Sequence, residues 1–143
     1  MKVAIASDHA GFKMKEALKP LLKSLNIELK DLGTTSEDPV DYPDYGKKVG
    51  AAIATKRAER GILICGSGIG MCISANRYKG VRAVTVSDEF DAEMSRKHNN
   101  SNVACIGARK TSLKDAEKLL KIWFETPFEG GRHEGRVNKI DQS

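Results

Sequence analysis

The segment Gly61–Gly70, Gly-Ile-Leu-Ile-Cys-Gly-Ser-Gly-Ile-Gly, constrains this chain more than any other. Ile62, Leu63 and Ile64 are apolar without alternation, the pattern of a strand buried on both faces of a sheet, so helices must cover both faces. The run ends at Cys65 and enters a glycine turn, after which Met71, Ile73, Ala75 and Tyr78 recur at near-helical spacing. The order is strand, cysteine, glycine turn, helix N-terminus. A helix start offers unpaired N–H groups and the positive end of a dipole, which favour anions. Glycines let a ligand approach the backbone, because no Cβ is in the way. A thiol at that point is expected to lose its proton more readily than a free cysteine, whose pKa is about 8.5. The segment can hold an anionic oxygen beside a thiolate. Taken alone, the same residues also fit a glycine-rich turn around a buried, inert Cys65.

The rest of the chain repeats the alternation. Lys2–Ser7, Ile27–Leu32, Val81–Val86 and Val103–Ile106 read as strands. A helix from about Phe12 to Leu25 carries Leu18, Leu21, Leu22 and Leu25 on one face, and Pro20 is expected to kink or shorten it. Thr34–Asp44 holds Pro39 and Pro43 and reads as a loop, with Asp41-Tyr42-Pro43 a compact unit that could lean over a site. Further helices are expected over about Tyr45–Arg57, from a cap at Ser87 or Asp88 to His98-Asn99-Asn100, and over Leu113–Glu125. The last has Ser112 and Asp115 as a capping box and Pro127 as its stop. From about Phe128 the chain reads as an unstructured, glycine-rich tail bearing Arg132 and Arg136, which would share a face if the tail were helical. Five strands alternating with helices predict a single α/β domain over residues 1–143. Its architecture is three-layer and Rossmann-like, an open, mostly parallel five-stranded sheet with helices on both faces. Ligands of such sheets bind at the carboxyl ends of the strands, which here carry Asp8, His9, Cys65 to Gly70, Ser87 and Arg109.

Composition narrows the class of ligand. The net charge of +5 permits nucleic-acid binding, but the basic residues are scattered and aromatics make up 6% of the chain, so no basic-aromatic stripe exists. A small anion accounts for the charge equally well. The Gly-x-Gly-x-Gly of the central turn is not the dinucleotide fingerprint, and no Lys-Ser or Lys-Thr follows it to make a P-loop. Cys65, Cys72 and Cys105 include no C-x-x-C spacing, which argues against a zinc site or a disulfide framework. No run of about 18 apolar residues and no leader is seen, so a cytoplasmic protein without a membrane span is expected. His9, His98 and His133 sit at a strand end, a helix end and in the tail; each fits either a titratable site group or an ordinary solvated side chain. Arg109, Arg132 and Arg136 could grip a phosphate through their planar guanidinium groups, or could be surface arginines.

Ser7-Asp8-His9-Ala10-Gly11, Asp41-Tyr42-Pro43, Cys65-Gly66-Ser67-Gly68-Ile69-Gly70, Ala75-Asn76-Arg77, Ser95-Arg96-Lys97-His98-Asn99 and Glu129-Gly130-Gly131-Arg132-His133 occur in one order. In these motifs, over essentially its whole length, the chain resembles the B-type ribose-5-phosphate isomerases, the family shared with galactose-6-phosphate isomerase subunits. The resemblance implies an aldose–ketose isomerase working through an enediolate without metal or cofactor, on ribose 5-phosphate and ribulose 5-phosphate. A six-carbon sugar phosphate, or an inactive sugar-phosphate-binding module, stays open as an alternative. By the family pattern Cys65 would be the base, since the members that lack the cysteine place a glutamate where this chain has Met71. Ser67 would hydrogen-bond the reacting oxygens, and the backbone of Gly66, Gly68, Ile69 and Gly70 would stabilise the enediolate. His98 and Asp8 would assist ring opening, and Asn99 would position the sugar. His9, Arg109, Arg132 and Arg136 would hold the phosphate, with Tyr42 lining the pocket. The resemblance also implies a homodimer whose sites draw on both chains, or a tetramer, and no nucleic-acid or membrane partner.

Overall fold

The structure, a computed structural model, describes residues 1–142. Its strands are β1 (Lys2–Ser7), β2 (Glu28–Asp31), β3 (Arg60–Cys65), β4 (Ala83–Thr85) and β5 (Val103–Gly107). They form one sheet in the order β2-β1-β3-β5-β4, with every pair parallel. Alternation along the central strands divides the core in two. Val3, Ile5, Ile62, Ile64, Ala104 and Ile106 face one way, and Ala4, Ala6, Leu63, Cys65, Val103 and Cys105 the other. The first face is covered by α1 (Phe12–Ser24), α4 (Glu89–Lys97) and α5 (Leu113–Glu125), through Leu18, Leu22, Ala92, Leu119, Leu120 and Trp123. The second is covered by α2 (Tyr42–Ala54) and α3 (Ile69–Ala75), through Val49, Ala52, Ile53, Met71 and Ala75. The three-layer α/β arrangement is the one expected from a central strand with no polar face.

Local chemistry sets the helix ends. The Asp88 side chain accepts from the Asp91 N–H at 2.8 Å and caps α4. Ser112 does the same for α5 through the Asp115 N–H at 3.1 Å. Three expectations are corrected. Residues 42–43 are not loop: α2 begins at Tyr42 with Pro43 in its first turn, where a fixed φ and a missing N–H cost nothing. Pro20 does not cut α1 short. The helix continues to Ser24, because Leu18 and Leu22 on either side are fully buried against the sheet. The tail is not unstructured. After Gly130 and Gly131, both at positive φ, it forms α6 (Arg132–Asp141), with His133 and Val137 buried and Asp141 paired to Arg82 at 2.8 Å. The strands at the sheet's edges are also shorter than the apolar runs suggest, since β2 and β4 each lack a neighbour on one side.

Under α5 lies a buried polar chain. Trp123 Nε1 donates to Ser101 Oγ at 2.8 Å, and Ser101 Oγ donates to Ser95 Oγ at 3.1 Å. Arg96, also buried, donates to the Ser101 carbonyl at 2.6 Å and the Asn100 side chain at 2.8 Å. Burial, reinforced by the nearby Arg60 and Arg82 cations, lowers the Arg96 pKa to about 10, and backbone carbonyls take the place of a carboxylate partner. Replacing Trp123 with Phe keeps most of the apolar volume and removes the donor. The expected loss is about 2 kcal/mol in denaturant-unfolding free energy, and an unchanged unfolding midpoint would show that the network does not depend on the indole.

Candidate active site

The strand order reverses between β1 and β3, since the chain leaves β1 towards β2 on one side and adds β3 on the other. In open α/β sheets the crevice for a ligand opens at that point, beyond the carboxyl ends of the strands. A cleft of about 620 Å³ is found there, lined by Asp8, Tyr42, Cys65, Gly66, Ser67, Ile69, Gly70, Ile73, Arg109 and Lys110. Asp8 comes from the end of β1, Cys65 to Gly70 from the end of β3, and Arg109 and Lys110 from the end of β5. Tyr42 is delivered by α2, and its ring lies so close against Gly70 that a Cβ there would collide with Cε1.

Cys65 is the last residue of β3, buried in the cleft wall. Its Sγ accepts the Gly68 N–H at 3.2 Å. Gly68 sits at φ +78°, a left-handed conformation open to glycine at little cost, and this lets the chain turn into α3 directly after that bond. Ser67 Oγ accepts the Ile69 N–H at 3.1 Å, so the hydroxyl and the loop backbone are already organised together. Asp8 is buried, and its Oδ1 accepts the Gly11 N–H at 3.1 Å. The Arg109 guanidinium lies over Gly66. His9 stands beside the cleft, its Nδ1 accepting the Val40 N–H at 3.1 Å. That bond leaves Nε2 as the nitrogen bearing the proton when the ring is neutral. A thiol, a hydroxyl, a carboxyl group, a guanidinium and aligned backbone donors therefore meet in one small space.

The remaining expected residues lie elsewhere on the same chain. His98 closes α4 and stacks on His133 of α6, with ring centroids 4.3 Å apart and planes 15° apart. Glu129 approaches both, its Oε1 lying 3.8 Å from His98 Nε2 and 3.6 Å from His133 Nε2. These are metal-ligating residue types, and their ligand atoms lie within 4.8 Å of one another. Asn99 lines a different cavity, of about 430 Å³, with Arg77, Arg82 and Ile140 among its walls. Arg132 and Arg136 are exposed on α6. None of His98, Asn99, Arg132 and Arg136 lines the Cys65 cleft. Ser87, expected at the same sheet edge, lines a separate hollow with Asp88 and Lys118.

Two cleft residues were missed by sequence reasoning, Ile73 and Lys110. Lys110 follows Arg109 past β5 and was legible by the same strand-end rule; Ile73 gave no signal beyond a helical spacing. His133 was noted without its stacking partner, because nothing in the sequence pairs it with His98.

The sequence model of the ribose/galactose isomerases matches residues 3–140. The chain belongs to the ribose/galactose isomerase family. It is 40% identical to ribose-5-phosphate isomerase B of Escherichia coli K12, over 97% of this chain and 93% of that one. Among solved structures, ribose-5-phosphate isomerase B of Clostridium thermocellum superposes with a TM-score of 0.96 at 41% identity, covering 99% of this chain and 96% of the other. The enzyme of Mycoplasma genitalium, solved with bound ribulose-5-phosphate, gives a TM-score of 0.95 at 37% identity, covering 99% and 94%. The family's fold is thus the one described above, and among the described residues no helix is long and apolar enough to cross a membrane.

His133 carries a pH signature. Burial, then electrostatic interaction with His98 and Arg132, lower its pKa below the ordinary histidine value of 6.5, against the pull of Glu129. The folded state therefore binds this proton less readily than the unfolded chain. Its contribution disfavours folding in acid and is relieved as pH rises through the unfolded value near 6.5. His133→Gln is expected to flatten the rise of unfolding free energy as pH climbs towards about 6.5. Parallel wild-type and variant curves over that window would contradict the assignment.

Proposed function

We propose that this chain interconverts ribose 5-phosphate and ribulose 5-phosphate through an enediolate, with Cys65 as the base. The observation that carries the reading is the Cys65 sulfur held against the Gly68 N–H inside a cleft that also presents Ser67, Asp8 and Arg109. Family membership and the named relatives supply the substrate class. Cys65 takes the proton from C2 of the open-chain aldose and returns it to C1, while the hydroxyl proton moves between O1 and O2. Charge that develops on those oxygens meets the Ser67 hydroxyl and the backbone N–H groups of Gly66 to Gly70, donors that are fixed before substrate arrives. A base working through a thiol suits proton transfer near neutral pH. His98 and Asp8 assist opening of the furanose ring, Asn99 positions the sugar and Tyr42 lines the pocket. His9, Arg109, Arg132 and Arg136 hold the phosphate, so that binding of a remote group holds C1 and C2 against the base.

The site is completed by a second copy of the chain. Two observations support this. His98, Asn99, Arg132 and Arg136 do not reach their own chain's cleft, and the cleft's mouth carries Tyr42, Ile69 and Ile73 at 43%, 52% and 63% exposure. Exposed apolar side chains around a polar centre mark a protein interface. In a two-fold dimer each copy supplies its phosphate-binding helix to the other's cysteine cleft.

The first test is ketose formation from ribose 5-phosphate, allose 6-phosphate and galactose 6-phosphate. Preference for ribose 5-phosphate is expected, and inactivity of the folded protein on all three would overturn the reading. Cys65→Ala is expected to lower kcat at least about 10³-fold with an unchanged circular-dichroism melt; near-wild-type turnover would remove Cys65 as base. Mixing inactive Cys65→Ala chains with inactive His98→Asn chains tests the shared site. Hybrid dimers hold one intact site and should regain activity, whereas mixtures that stay inactive after exchange of chains would show that each site belongs to one chain.

A further inference from the structure

Thr85 is absent from the cleft lining, yet it holds the residue that holds the sulfur. It ends β4, paired with Cys105 of β5, and the next rung, Val86 N–H to the Cys105 carbonyl at 2.8 Å, fixes its backbone. From this edge its Oγ1 donates to the Gly68 carbonyl at 2.9 Å. Its methyl group packs on the same glycine, where Cγ2 would stand 3.3 Å from an added Cβ. Gly68 is thus bound on both sides of its Cα, through its N–H to Cys65 and through its C=O to Thr85.

The geometry points to Thr85 as a positioning residue for the proton transfer, whose hydroxyl fixes the Gly68–Ile69 peptide that aims the loop's donors. The inference rests on Cys65 being the base. In a trans peptide the C=O and the following N–H point in opposite directions. Drawing the Gly68 carbonyl towards β4 therefore turns the Ile69 N–H away from β4, to Ser67 Oγ, which it reaches at 3.1 Å. Rotation of that peptide would misdirect the Ile69 donor, and loosening of Gly68 would slacken its N–H on Cys65. At positive φ, Gly68 has broad conformational freedom and no side chain of its own to stop such rotation. The Ser67 hydroxyl holds the peptide from within the loop, and the Thr85 hydroxyl adds a restraint from outside it.

Thr85→Val keeps the shape and deletes the hydroxyl; Thr85→Ser keeps the hydroxyl and deletes the methyl. For Thr85→Val, kcat on ribose 5-phosphate is expected to fall about tenfold with KM within about twofold, and Thr85→Ser should recover most of it. Iodoacetamide alkylation of Cys65, followed by peptide-resolved mass spectrometry, reads the same restraint without turnover. The midpoint of its pH profile should move upward in Thr85→Val and return in Thr85→Ser. Peptide resolution matters because the half-buried Cys72, with a pKa lowered to about 7 chiefly by its hydrogen bond with Cys105, also contacts Thr85. Wild-type kcat in Thr85→Val, equal losses in both variants, or a fall in kcat with an unmoved Cys65 profile would each overturn the proposal. If the protein turned over no sugar phosphate, the alkylation profile would still decide whether Thr85 governs the Cys65 environment.

Discussion

The site depends on a backbone ladder that does not stop where the strands do. β3 and β5 pair from Gly61 with Val103 to Cys65 with Gly107, and the two chains stay in step beyond the sheet. The Ala108 N–H donates to the Cys65 carbonyl at 2.8 Å, and the Arg109 N–H donates to the Gly66 carbonyl at 3.0 Å. A cysteine and an arginine far apart in sequence are thereby fixed side by side by main-chain bonds alone. The approach is so close that a Cβ on Gly107 would sit 2.6 Å from the Ser67 carbonyl carbon and oxygen. Because the buried sheet is the most rigid part of such a protein, a thiol at a strand end is held more firmly than one on a free loop.

A second set of interactions brings the roof of the cleft to this frame. Lys15 of α1 is 1% exposed, and its ammonium donates to both Asp31 oxygens, at 2.7 and 2.8 Å, and to the Thr34 carbonyl at 2.7 Å. Burial alone would raise the Asp31 pKa; hydrogen bonds from Lys15, Lys19 and the Gly33 N–H outweigh it and hold the carboxylate below its usual range. This tie anchors the segment leading from β2 to Tyr42, while the Val40 N–H binds His9 further along. A buried lysine is stable only where its charge is met by partners. Here the partners join α1, β2 and the loop that carries the aromatic side of the cleft.

The sheet was legible because its signal is local. The unbroken run Ile62-Leu63-Ile64 demands cover on both faces, and the glycines after Cys65 mark the turn wherever the helices lie. Ser112 and Asp115 likewise announce α5, since a cap is a contact between near neighbours. What failed was whatever a distant contact decides. Pro43 has the same composition signal in a loop as in a first helical turn, and only the packing of Tyr42 on Gly70 selects the turn. Residues 132–141 carry too few apolar side chains to declare a helix. Burial of His133 and Val137 and the pairing of Asp141 with Arg82 complete it. Thr85 looked like one more β-branched strand residue, because its importance lies in a hydroxyl aimed at a carbonyl seventeen positions earlier.

The separation of these residues follows from the same topology. Residues at the ends of β1, β3 and β5 converge on one crevice because neighbouring parallel strands end together. His98 and Asn99 come after α4, and Arg132 and Arg136 belong to α6, elements on which no such convergence acts. Their local order comes instead from the buried Arg96, whose bonds to Ser101 and Asn100 set the turn behind His98, and from the stack of His98 on His133. The chain thus orders these residues in two halves by independent means, one with the thiol and the glycine-loop backbone, the other with the paired imidazoles and the exposed guanidinium groups. In the two-copy arrangement proposed above, neither half needs to move within its own chain for both to meet the substrate. The apolar rim of Tyr42, Ile69 and Ile73 then acts twice, driving association and excluding water from the thiol.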